Sequence, residues 1–136
     1  MADTILLIDD NPLIMELNRE TLTGYGYRIL EAGSISQCRA LLKDETPDLI
    51  IMEAKLPDGC GLNFCREVNS QNNIPVMFVS ILSTTQDEVA GFDAGASAYV
   101  PKPYTTDMLV LRMEGLLRCV RRMRGQEFTP KRLRKR

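Results

Sequence analysis

Five polar side chains stand directly behind short apolar runs. Asp9 and Asp10 follow Ile5-Leu6-Leu7-Ile8, Glu53 follows Leu49-Ile50-Ile51-Met52, Ser80 follows Val76-Met77-Phe78-Val79, and Lys102 comes just after Ala98-Tyr99-Val100. If these runs are parallel strands of one open sheet, all five side chains gather at its carboxyl end, where such sheets bind ligands near the point at which strand order reverses. Three carboxylates in one crevice repel one another unless a cation joins them, and a set of oxygen donors favours a hard ion such as Mg²⁺. A lysine and a hydroxyl beside them complete a site suited to a phosphoryl group. Taken singly the same residues have plainer explanations: Asp9-Asp10 caps a helix and Lys102 is a solvated loop residue. Their joint placement at strand ends argues against that.

The elements that must position these groups are legible in the hydrophobic pattern. The runs are continuously apolar, as central strands buried on both faces should be, while Tyr27-Arg28-Ile29-Leu30 is more polar and suits an edge. Longer helix-like stretches alternate with them, so the count is (βα)₅, an α/β fold with a parallel sheet and crossover helices. Helix starts are marked by Asn11-Pro12, by Ser34 to Gln37 and Ser83 to Gln86 at capping-box spacing, and by Thr106-Asp107. Gly24 and Gly26 stop the first helix and Gly95 the fourth. Leu109, Met113, Leu116, Leu117 and Val120 recur at three- and four-residue steps, which gives the last helix one face for the sheet.

Composition narrows the chemistry further. With 136 residues, 44% of them hydrophobic, the chain suits a single domain with one core, and no apolar run is long enough to span a bilayer. The first residues lack the basic segment of a signal peptide, so a cytoplasmic protein is expected. There is no histidine, and Cys38, Cys60, Cys65 and Cys119 form no CxxC pair. That removes Ser-His-Asp and Cys-His catalysis, a histidine phosphocarrier, and the common zinc sites. The net charge of -1 conceals a split: residues 118–136 carry nine Lys and Arg against one acid, and the rest of the chain is acidic.

The segments ILLIDDNP (5–12), PDLIIMEAKLPDGCGL (47–62), PVMFVS (75–80) and GASAYVPKPY (95–104) together resemble the receiver domain of two-component response regulators, from about Thr4 to Val120. The resemblance implies a three-layer flavodoxin-like (βα)₅ fold with strand order 2-1-3-4-5 and a receiver domain over residues 1–124, while 125–136, with Pro130 and few apolar residues, reads as a basic tail, a linker or frayed end. It implies that Asp9, Asp10, the third carboxylate and the backbone carbonyl of Lys55 hold Mg²⁺. It further makes Ser80 the hydroxyl that senses the phosphoryl group, Lys102 its cationic contact, and Tyr99 the aromatic whose position reports activation. A cis Lys102-Pro103 bond is implied as well.

Two positions depart from the family pattern. Counting from Pro57, Glu53 stands where receivers carry the phospho-accepting Asp, and Ile81 follows Ser80 where the family usually has Ala or Gly to admit the donor. The extra methylene adds about 1.5 Å of reach, and a misplacement of about 1 Å can cost on the order of 100-fold in transfer. Ordinary phosphoacceptance is therefore expected to be lost or impaired and Mg²⁺ binding weak. Glu53 is either a built-in phosphomimic reaching Ser80 or Lys102, or part of a vestigial site, paired to Lys102 or Lys55. The expected function is a non-enzymatic signalling module that meets a sensor histidine kinase or an output partner. It works through protein contacts, including a homodimer, on the face of the fourth helix, fifth strand and fifth helix. The alternative is a nucleic-acid-binding regulator that uses the basic tail from Arg118 to Arg136. A flavin site is disfavoured by the acidic loop after the first strand, and no second motif supports a metal-dependent phosphatase.

Overall fold

The computed structural model describes residues 3–131. Its elements are β1 (Thr4–Ile8), α1 (Pro12–Gly24), β2 (Arg28–Ala32), α2 (Ile35–Asp44), β3 (Leu49–Met52), β4 (Lys55–Leu56), β5 (Gly59–Cys60), α3 (Gly61–Gln71), β6 (Val76–Ser80), α4 (Thr85–Asp93), β7 (Ala98–Pro101) and α5 (Thr106–Met123). Five of the strands form one parallel sheet in the order β2-β1-β3-β6-β7, which is 2-1-3-4-5 when only those strands are counted. The flavodoxin-like expectation is met.

Position in the sheet follows composition. Every residue of β3 and β6 is buried, whereas the edge strand β2 is buried only at Ala32. Side chains alternate between faces. Leu6, Ile8, Ile50, Met52 and Phe78 pack with Phe64 and Val68 of α3 on one side. Ile5, Leu7, Ile51, Met77 and Val79 meet Met15 and Leu22 of α1 and Leu109, Met113 and Leu117 of α5 on the other. Burying each such side chain contributes about 1.5–3 kcal/mol. The other edge strand, β7, accommodates Pro101 because an edge needs fewer donors, and the ladder resumes where Lys102 N donates to Ser80 O at 2.8 Å.

Capping refines the expected helix starts. Asn11 accepts from the amides of Leu13 and Ile14, and Ser34 accepts from Gln37 N, as its spacing implies. The return bond from Gln37 goes to Gly33 N instead of the cap residue. At α4 the box lies one residue later than Ser83 to Gln86. Thr84 and Asp87 exchange the two bonds, an aspartate being a better acceptor there than an amide. Thr105 caps α5. The β4–β5 hairpin, turning through Pro57-Asp58, was not anticipated. Asp58 accepts from Ile35 N and Ser36 N and so ties that hairpin to the start of α2.

The end of the chain also departs from expectation. A linker or frayed end was expected from Gly125 onward, yet after a turn at Gly125 (φ 69°) the chain doubles back. Phe128 packs on the α1/α5 core, and Pro130 and Lys131 are buried. The burial of apolar surface outweighs the polar character that suggested a loose tail. Arg132, Arg134, Lys135 and Arg136 lie outside the described residues. Among the described residues, no helix is long and apolar enough to cross a membrane.

Candidate functional site

The carboxyl ends of the central strands place the polar groups together. Glu53 N donates to Ile8 O at 2.9 Å, which sets the residue after β3 beside the end of β1. Asp9 is turned inward and its Oδ1 accepts from Asn11 N at 2.9 Å, so the helix-capping asparagine also orients an acidic group. Asp10 faces solvent. Lys102 leaves β7 with its ammonium 2.7 Å from Asp9 Oδ2 and 2.9 Å from Glu53 Oε2. Around them lies an open cleft of about 330 Å³, with Lys55, Pro57 and Ile81 on its walls.

Glu53 is the hub. Only 4% exposed, its carboxylate accepts on Oε1 from Ser80 Oγ and from Lys55 N (3.2 Å), and on Oε2 from Lys102 and from Ile81 N (3.4 Å). Burial alone would push its pKa up, but the bonds from Ser80, Lys102 and Lys55 N outweigh it and hold the carboxyl below its ordinary value of 4.5. Lys102 answers in kind. Burial acts against its charge, and Asp9 and Glu53 more than restore it, so its pKa is raised.

This arrangement bears on the metal expected from Asp9, Asp10, Glu53 and Lys55. Among the described residues no group of three acidic, cysteine or histidine side chains is disposed to hold an ion. Lys102 sits between two of the carboxylates and neutralises charge that a dication would need. Asp10 is exposed and lines the same cleft. The Lys55 amide donates to Glu53 Oε1, which ties the start of β4 to the same carboxylate. As arranged, the donors fit a divalent ion poorly.

From Glu53 a short line of contacts leads to Tyr99. Ser80 Oγ donates to Glu53 and accepts from Leu82 N at 3.0 Å, and Tyr99 donates its hydroxyl to Leu82 O. Tyr99 is buried, its ring tilted at 43° against Phe78 with centroids 5.7 Å apart. A Cβ at Gly91 would lie 2.8 Å from that ring, so the glycine in α4 admits the tyrosine in this position. Burial pushes the Tyr99 phenol pKa up. Ile81, the residue suspected of guarding the entrance, is 60% exposed at the cleft wall.

Beyond the cleft, Val89 and Phe92 on α4 and Met108 and Leu111 on α5 are exposed. A groove of about 490 Å³ runs past Tyr99, Pro101, Tyr104, Met108 and Arg112 on the same side. The Lys102-Pro103 bond is cis, in keeping with the resemblance. Sequence reasoning missed Asn18, a buried amide on α1 that accepts from Tyr104 OH at 2.8 Å and anchors the start of α5. Its position on the apolar stripe, three residues after Met15 and four before Leu22, was the available signal. Cys38 and Cys65 are buried, and burial pushes their thiols up to about 12 and about 11 respectively, so both are inert. The basic stretch is partly committed within the domain. Arg121 pairs with Asp3 and, at 3.3 Å, with Asp48, and Arg124 donates to Asn73 O.

Comparison with known proteins agrees with this geometry. Residues 5–114 match the model of the response regulator receiver domain. The KDP operon transcriptional regulatory protein KdpE of Escherichia coli is 37% identical over 84% of this chain and 51% of its own length. The DNA-binding response regulator MtrA of Mycolicibacterium smegmatis is 31% identical over 87% and 52%. This chain thus spans about half the length of the curated relatives it matches. Among solved structures, the non-phosphorylated HemR receiver domain of Leptospira biflexa superposes with a TM-score of 0.79 and 28% identity, covering 85% of this chain and 94% of that one. With the strand order, the inward acid and the lysine at the end of β7 already placed, this chain belongs to the response regulator receiver family.

Proposed function

We propose that this receiver is an atypical one, in which Glu53 takes the place of a phosphorylated acceptor and ordinary phosphotransfer is lost or impaired. The observation that carries the reading is the reach of one buried carboxylate to both Ser80 and Lys102. An aspartate is a methylene shorter and would need an added phosphoryl group to engage both. Of the two roles open to Glu53, that reach and the continuous line through Leu82 to the buried Tyr99 favour the phosphomimic. A protein of this kind acts by contact and turns over no substrate. Mg²⁺ binds weakly, because Lys102 already neutralises the inner acids.

The partners that fit are a sensor histidine kinase or an output protein in the cytoplasm, met on the face of α4, β7 and α5, where a second copy would also dock. Exposed Phe92, Met108 and Leu111 supply the apolar area such an interface needs. Nucleic-acid binding by the tail is disfavoured by the engagement of Arg121, Arg124 and Lys131 within the domain. Glu53→Gln keeps the shape and removes the charge, so the NMR signals of Tyr99 should shift and self-association or partner binding should weaken. An unchanged Tyr99 environment in Glu53→Gln excludes the phosphomimic.

A further inference from the structure

At the opposite end of the sheet from Glu53, the inner face of α5 carries a second buried glutamate, Glu114, only 1% exposed. Its Oε2 accepts from the Tyr27 hydroxyl and, at 2.8 Å, from the backbone amide of Lys131. Tyr27 precedes β2, so this socket lies toward the amino ends of the strands, where the last described residues return to the domain. The Lys131 side chain runs past Gly26, and its ammonium stands 5.5 Å from the centre of the Tyr27 ring. Phe128 packs, half-buried, against the core cluster that contains Tyr27. A carboxylate hidden in an apolar helix face is costly unless hydrogen bonds meet it, and one of its donors comes from a segment seventeen residues further along the chain.

The geometry points to a latch: Glu114 and Tyr27 form a socket that captures the strap Phe128-Thr129-Pro130-Lys131 and fixes where the basic segment leaves the domain. The bond from Lys131 uses a backbone amide, so the socket reads chain position as well as side-chain charge. The cation over the Tyr27 ring adds preference for Lys or Arg at that place. With the strap seated, whatever follows Lys131 starts from the Tyr27 end, away from the Glu53 cleft. With it released, the basic segment swings on the turn at Gly125. This inference does not depend on how Glu53 is read.

Hydrogen exchange on the full chain tests the latch. The Lys131 amide should exchange at least ~10-fold more slowly than in a free peptide of residues 126–136, the factor expected for one charge-assisted hydrogen bond. In Glu114→Ala that protection should vanish while the amides of β1 and β3 keep theirs. Lys131→Pro removes the donor and leaves the socket whole, so it serves even if Glu114→Ala fails to fold. There the Phe128 ring, packed on the core when the strap is seated, should give the NMR signals of the free peptide. Free-peptide exchange of Lys131 in the wild type overturns the proposal, as do Phe128 ring signals that keep their wild-type positions in Lys131→Pro.

Discussion

The molecule buries two glutamates and treats them differently. Glu53, at the carboxyl end of the sheet, lies beside a cleft and has a lysine against it, with Ser80 and two backbone amides completing its shell. Glu114, near the amino end, sits inside a helix-packing face and accepts from a phenol and a backbone amide. The first environment stabilises a charge that other groups can sense, since Ser80 and Tyr99 lie on the same line of contacts. The second fastens one segment of chain to another. Burial of a carboxylate is therefore not by itself a sign of an active site. What marks Glu53 is the cleft it adjoins and the lysine held against it there.

The largest effect expected at the Glu53 pole is chemical. Wild-type protein given acetyl phosphate and Mg²⁺ should accept little or no phosphoryl group, and Glu53→Asp should raise acceptance by on the order of 100-fold, read by intact mass. Ile81 stands at the cleft wall, so Glu53→Asp with Ile81→Ala should react faster than Glu53→Asp alone. Efficient phosphorylation of wild-type Glu53 would break the comparison, because Glu53 would then be a working phosphoacceptor and not a substitute for one.

Much of that pole was legible in the sequence, because strand ends are marked by apolar runs and the sheet converts them into one site. The apolar runs of β1, β3 and β6 leave no alternative to a central position, and the residues after them follow. What pattern alone did not yield was who pairs with whom. Whether Lys102 faces a phosphoryl group or fills the gap between Asp9 and Glu53 depends on side-chain reach, which spacing does not encode. The other pole was hidden. Glu114 follows Val110 by four residues and precedes Leu117 by three, squarely on the buried stripe, but an isolated acid in a helix reads as surface. Its partners, Tyr27 and Lys131, are 87 and 17 residues away in sequence.

Removing the cation should be the next largest effect. Lys102→Ala leaves Asp9 and Glu53 facing each other without it, and breaking so enclosed a pair should cost about 3 kcal/mol of stability by chemical denaturation. The same variant should bind Mg²⁺ more tightly than the wild type, since the carboxylates regain unneutralised charge. Titration with amide shifts followed at Asp10 measures it, and weaker Mg²⁺ binding in Lys102→Ala would show that the lysine does not occupy the cation's place.

A smaller effect is the dependence on acid. Glu53 has a lowered pKa in the folded state, so its contribution is present above its ordinary value of 4.5 and is lost as pH falls through the folded value. Lys102 is raised, so its contribution is present below its ordinary 10.5 and lost only as pH rises beyond that through the folded value. Between those limits the stability difference between wild type and Glu53→Gln should be flat, and below pH 4.5 it should shrink. Denaturation curves for the two proteins from pH 3 to 8 decide it, and a difference that grows on acidification contradicts the assigned sign.

The smallest expected effect is the sharpest test of the contrast itself. Glu53 is reached from β3 and belongs to the carboxyl-end cleft, whereas Glu114 belongs to α5 and the Tyr27 end, and no hydrogen-bond partner identified for one is a partner of the other. Sites without shared partners usually add to within about 0.3–0.5 kcal/mol. Glu53→Gln and Glu114→Gln should therefore each destabilise the protein, and the double variant should cost the sum of the two within that margin. The strap amide at Lys131 should keep its exchange rate in Glu53→Gln, and Tyr99 its environment in Glu114→Gln. A coupling above about 1 kcal/mol would mean that the packed sheet between the poles has two arrangements both glutamates bias, and the latch and the cleft would then be one device.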